Sequence, residues 1–162
     1  MRQTLEIKSM HWSELVDNPL FADLPFKIEL TKYGQLLMSP ASNEHGRIQS
    51  RFSAQLLQQQ THGDVVIECS MATTEGVKVA DVAWLSAEFV DRFGFVTPYP
   101  QAPELCIEIM SPSNSMQDMQ EKIRLYLASG AVEVWLVYNL ERIECFNRDG
   151  CLLHSHLFPL IK

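Results

Sequence analysis

The sequence predicts a mixed α/β fold built on one central sheet. Three observations point there: short runs that alternate or are continuously apolar read as strands, longer stretches carry apolar residues at helical spacing, and residues 104–137 run strand, helix, apolar strand, which suggests a βαβ crossover. The N-terminal part is hairpin-rich.

The segment from Lys27 to Tyr33 alternates as a strand, Gly34 turns the chain, and Gln35 to Ser39 returns as its hairpin partner. Pro40 stops that strand, and Ser42 or Asn43 caps a helix running to about Gln60. Ile48, Phe52 and Leu56 form its apolar stripe, and His62-Gly63 ends it. Asp64 to Cys69 is a β-branched run, and Gly76 precedes a second apolar strand through Leu85. Ser86 caps a short helix to Arg92. Residues 94–103, with three prolines, read as a loop that forms a flap near the sheet edge. Glu104 to Met110 is a strand, Met116 to Ser129 a helix with Gly130 at its C-terminal end, and Val132 to Val137 a buried strand. A hairpin over 143–147 and 152–156 closes the chain.

The 162 residues fit one domain, 1–162, and 46% hydrophobic content is enough for a sizeable core. No run reaches the roughly 20 apolar residues that span a bilayer, and residues 1–8 do not read as a signal peptide. The expected setting is cytoplasmic. The four cysteines have no CxxC or zinc-finger spacing and read as structural thiols, although Cys145 and Cys151 flank a turn. A net charge of −7 argues against a broad nonspecific DNA-binding surface, but a metal site needs local carboxylates and tolerates it.

Two carboxylates interrupt strands that should have none: Asp81 within Val77–Leu85, and Glu108 within Leu105–Met110. An unpaired buried carboxylate costs several kcal/mol, so each needs a metal, a lysine or a hydrogen-bond network. Strand parity puts Glu104, Cys106, Glu108 and Met110 on one face, and Val79, Asp81, Ala83 and Leu85 on one face. If those strands pair, Asp81 and Glu108 converge within reach of one ion. Mg²⁺ takes one or two carboxylates plus waters and phosphate oxygens. Glu68 and Glu133 also interrupt apolar runs and read as structural.

Pro103 to Ser113, followed by Asp118, Lys122, Tyr126, Gly130 and the strand Glu133 to Val137, resembles the core of a known family. Val79 to Trp84 resembles its strand with the first catalytic Asp, and Ser39-Pro40 with Glu44-His45 its first-helix entry. This is the Uma-type family of "putative restriction endonucleases", within the PD-(D/E)XK nuclease superfamily, and the resemblance covers residues 26–147. It implies a restriction-endonuclease-like mixed sheet flanked by helices, often a homodimer. It implies Mg²⁺ (or Mn²⁺) held by Asp81 and Glu108, with Glu44 joining the metal shell. It implies nucleic acid, with DNA the expected form, as the substrate. The superfamily lysine two residues after the Glu is Met110 here, and the resemblance places that lysine at Lys122. Ala80 stands where the superfamily has its proline, and Asn139 where relatives often carry Asp.

Each residue has a plainer alternative. Lys122 can pair with Asp118, four residues earlier on the helix. Glu44 can serve the helix dipole, and His45 can cap or face solvent. A glycosidase pair is excluded, because Glu104 and Glu108 lie about 13 Å apart along one strand, beyond the ~5–9.5 Å such pairs use. No GxSxG elbow and no phosphate-cradling glycine loop is present. The remaining rival is a nuclease fold that has lost catalysis and binds nucleic acid or a protein.

Overall fold

The computed structural model describes residues 11–59 and 62–161. The sequence readings of residues 1–8 and of the helix end at Gln60 lie outside them. A short helix α1 (Trp12–Val16) precedes the hairpin β1 (Phe26–Thr31) and β2 (Leu36–Pro40). Then come α2 (Asn43–Gln59), β3 (Gly63–Thr73), β4 (Gly76–Ser86), α3 (Ala87–Phe93), β5 (Leu105–Ile109), α4 (Met116–Ala128), β6 (Glu133–Asn139), β7 (Arg142–Asn147) and β8 (Gly150–Leu152). The strands form one mixed sheet in the order β2-β1-β4-β5-β6-β7-β8, with β3 paired to β4. Among the described strands only β5 and β6 run parallel, as the α4 crossover between them requires.

Several elements differ from expectation. β3 extends to Thr73 and makes a long hairpin with β4, because the Thr73–Gly76 turn keeps the pairing in register. Gly76 has φ of 100°, and a Cβ there would collide with the Leu30 carbonyl, so glycine is required. β8 is short and ends at Leu152. Cys151 faces Phe146 in register and Cys145 faces Leu152, so the two thiols point to opposite sides of the hairpin and are free. The loop read as a flap is instead docked on β3: Tyr99 is buried, its N–H donates to the Ser70 carbonyl (3.0 Å), and its carbonyl accepts from Ala72 (2.8 Å).

The sheet is covered on both faces. Ile48, Phe52 and Leu56 of α2 pack on Val82, Leu105, Ile107 and Trp135, with Phe158 edge-on to both Trp84 and Trp135. Met119, Ile123 and Tyr126 of α4 pack on Ala83, Cys106, Val134 and Leu136. Each fully buried large apolar side chain contributes about 1.5–3 kcal/mol relative to exposure, so these two stripes anchor their helices. Ser115 and Asp118 form a reciprocal capping box at the start of α4, which fixes where the helix begins. No helix among the described residues is long and apolar enough to cross a membrane.

The C-terminal segment is held by one buried acid. Glu133 accepts hydrogen bonds from Ser155 Oγ (2.6 Å), the N–H of His156 (2.7 Å), the N–H of Leu157 (3.1 Å) and Trp135 Nε1 (3.0 Å). Those bonds explain why a carboxylate interrupts this apolar strand.

Candidate functional site

One edge of β4 is shared by two strands. β1 pairs with it at Val77 and Gly76, and β5 pairs with it from Trp84 to Val82. Between those pairings the strands part, and side chains replace the missing ladder bonds. Val79 N–H donates to Glu29 Oε1 (2.9 Å), and Ile109 N–H donates to Asp81 Oδ2 (2.7 Å). Asp81 follows Val82 in the β5 register and so stands opposite Glu108. On its other side it stands opposite Glu68 of β3, where the backbone switches to φ of 52° and the β3–β4 pairing skips one position. Three carboxylates on three neighbouring strands therefore line up: Glu68, Asp81, Glu108.

Asp81 and Glu108 are nearly fully buried, at 1% and 2% exposure. Lys27 Nζ of β1 lies between them, 2.7 Å from Asp81 Oδ1 and 3.4 Å from Glu108 Oε2. His45 Nε2, from the first turn of α2, is 3.2 Å from the same Asp81 oxygen. Lys122 Nζ, from α4, is 2.8 Å from Glu29 Oε1 and 3.2 Å from Glu108 Oε2. Tyr126, one turn on, donates its hydroxyl to Glu108 Oε1 (2.6 Å). Gln49 links the Asp81 carbonyl (3.1 Å) to Glu68 Oε1 (2.6 Å). A cavity of about 330 Å³, with Ser39, Ser111 and Asn114 on its wall, opens onto these groups.

The electrostatics follow from these contacts. Burial opposes ionisation of Asp81, but Lys27 and His45 outweigh it and hold the carboxyl well below its usual range. Glu29 is likewise buried and likewise lowered, chiefly by Lys122 and then Lys27. Glu108 lies above its ordinary value because burial exceeds the pull of Lys122 and Lys27. The Lys27 ammonium is buried too, yet Glu108 and Asp81 keep it charged. His45 is raised, first by its bond to Asp81. Glu68, at the cavity rim, is raised by desolvation first.

The structure thus brings together Asp81, Glu108 and Lys122. It does not bring in Glu44, which is exposed on the α2 surface and gripped by Arg47 at 2.7 and 2.8 Å. His45, the next residue, turns inward instead. At about 100° per residue, the direction of the Ile48–Phe52–Leu56 stripe lies about 20° from His45 and about 80° from Glu44. That offset was the available signal. Asp118 does not pair with Lys122; it is spent on the capping box. Lys27 and Glu29 went unrecognised, because the alternation of one hairpin strand does not say which neighbour it will face. Glu68 and His45 also join the cluster, whereas Glu104 instead holds the Ser86 cap.

The donors present suit a cation. His45, Glu68 and Asp81 each offer a ligand atom within 4.8 Å of the others, and Glu108 flanks them across Lys27. Carboxylate oxygens with one imidazole fit Mn²⁺ well and Mg²⁺ through the oxygens. The open mixed sheet with helices on both faces places this chain among proteins of nuclease fold. Its architecture matches the crystal structure of "a putative nuclease belonging to DUF820" from Anabaena variabilis, with a TM-score of 0.60 and 20% identity over 82% of this chain and 83% of that one. The family model for Uma2, "putative restriction endonuclease", matches residues 17–157, and the chain belongs to that family. No curated protein matches significantly.

Proposed function

We propose that this chain is a divalent-metal-dependent endonuclease of the PD-(D/E)XK type, hydrolysing phosphodiester bonds of nucleic acid, with DNA the expected substrate. The observation that carries the reading is the row Glu68–Asp81–Glu108, with Asp81 and Glu108 buried at the foot of a cavity, Glu68 at its rim, and two lysines facing the buried pair. DNA and a homodimer of single-domain subunits rest on the family resemblance.

Asp81 and Glu108 would hold the ion, and His45 with Glu68 would complete its donors, His45 supplying from α2 what was expected of Glu44. The ion, when bound, polarises a phosphate oxygen and lowers the pKa of water. The protein's own groups do the rest. Tyr126 fixes the Glu108 carboxylate by its hydroxyl, so that the acid cannot rotate away from the cavity. Lys122, anchored on Glu29, presents a positive charge where negative charge develops on the phosphate. Ile109 N–H pins one oxygen of Asp81 and leaves the other directed at the cavity. Lys122 would stand in for the lysine that Met110 lacks.

Cleavage of supercoiled plasmid, linear duplex and single-stranded DNA, with RNA as a further substrate, tests the reading in Mg²⁺ and in Mn²⁺. Metal-dependent cuts should vanish in Asp81→Ala and Glu108→Ala and fall sharply in Lys122→Ala. Cleavage that survives in Glu108→Ala sinks the assignment. Met110 favours a second reading, an inactive fold that only binds nucleic acid; binding without cleavage of any of these substrates would select it.

A further inference from the structure

We infer that Lys27 holds the cation position between Asp81 and Glu108 in the metal-free protein and must leave it for a divalent ion to bind. This inference rests on the metal site proposed above. Nζ sits 2.7 Å from Asp81 Oδ1, the oxygen that faces the cavity, since Oδ2 is taken by the Ile109 N–H. A divalent ion on Oδ1 would bind at about 2.0–2.1 Å, and Lys27 Nζ, 2.7 Å from that oxygen and 3.4 Å from Glu108 Oε2, stands where an ion shared by the two carboxylates would sit. Charge points the same way: a divalent ion placed beside the Lys27 ammonium would meet a like charge inside a desolvated site, whereas an ion that replaces it keeps the attraction of Asp81 and Glu108 without that repulsion.

The two lysines are not equivalent. Lys122 keeps Glu29 as a partner at 2.8 Å whatever happens at Glu108. The ion-pair partners of Lys27 are Asp81 and Glu108, so it loses both. Its side chain is then free to swing into the adjoining cavity, where a phosphodiester would lie. Lys27 is in this sense an internal competitor for the metal, and metal arrival converts it into a cation available to substrate.

Mn²⁺ titration by calorimetry, without nucleic acid, tests the exchange on the intact chain. Lys27→Met keeps the chain length and removes the charge. It should bind Mn²⁺ about tenfold tighter than the wild type, equivalent to ~1.4 kcal/mol of competition removed. Lys32→Met, an exposed lysine paired with Glu75 on the same hairpin, makes the same change in net charge and should leave the affinity unaltered. Equal or weaker binding by Lys27→Met overturns the exchange while leaving the metal site standing. If neither the wild type nor Lys27→Met binds Mn²⁺, the metal site fails and the exchange with it. A second measurement needs no substitution: amine acylation mapped by mass spectrometry should label Lys27 poorly in EDTA and several-fold faster in saturating Mn²⁺. An unchanged Lys27 rate overturns the exchange.

Discussion

Replacing Asp81 by Asn alters one atom and disturbs three contacts. The carboxylate accepts from Ile109 N–H at 2.7 Å and from Lys27 at 2.7 Å, with His45 Nε2 at 3.2 Å. An amide has one acceptor oxygen. Its NH₂ must face either the Ile109 N–H or the Lys27 ammonium, and both are donors. A buried donor left unsatisfied costs about 1–3 kcal/mol, and breaking a buried ion pair about 3–5 kcal/mol. Lys27 retains Glu108 at 3.4 Å, so about 3 kcal/mol is the expected loss at neutral pH. For a chain of this size that lowers Tm by about 6–12 °C. Thermal unfolding in EDTA, followed by circular dichroism, measures it. The pH dependence gives a second readout. Asp81 is held below its usual value when folded, so its contribution is full above about pH 4 and fades as pH falls from there. His45 is raised, so its bond to Asp81 contributes fully below about pH 6.5 and is lost as pH rises through its folded value. The gap between wild type and Asp81→Asn should therefore be widest between about pH 4 and 6.5 and narrow on both sides. A variant as stable as the wild type across that window would refute the bonding scheme. A more stable one would show that repulsion among the acids outweighs their pairing.

Three further outcomes follow from the same structure. Glu133→Ala strands the Ser155 hydroxyl, the Trp135 indole and two backbone donors, and should cost about 3–5 kcal/mol by urea unfolding while leaving Mn²⁺ affinity unchanged. An unaltered midpoint would refute the clasp. Tyr126→Phe removes the hydroxyl bond to Glu108 and should lower stability by about 2 kcal/mol, with cleavage falling further than substrate affinity; if cleavage is unaffected, Glu108 does not need that restraint. Gly76→Ala adds a Cβ against the Leu30 carbonyl at φ of 100° and should destabilise by about 2 kcal/mol or more, seen as a drop in Tm.

Periodicity made the main elements legible. The Ile48–Phe52–Leu56 stripe located α2, the apolar runs located β4, β5 and β6, and Gly130 closed α4. Parity also put Asp81 and Glu108 where pairing could join them. What stayed hidden is nonlocal. Nothing in the alternation of Lys27 to Thr31 says that β1 will lie beside β4 rather than stand at the surface, so it gave no reason to single out Lys27 or Glu29. Glu68 looked structural because its left-handed backbone is set by the β3–β4 hairpin around it, not by its neighbours in sequence. The choice between Glu44 and His45 was readable from the helix stripe, but both lie in the first turn, where the dipole gives an acid its own reason to be present.

The parting of strands at β4 ties folding to chemistry in an unusual way. Asp81 and Glu29 accept the very backbone N–H groups that the sheet leaves unpaired. Selection for a closed sheet and selection for a cutting site therefore act on the same atoms. Loss-of-function substitutions here will be confounded with loss of folded protein, and abundance must be measured beside activity. A lineage that stopped cutting would still be held to both carboxylates by its backbone, so their presence in a relative reports an intact fold before it reports an active enzyme.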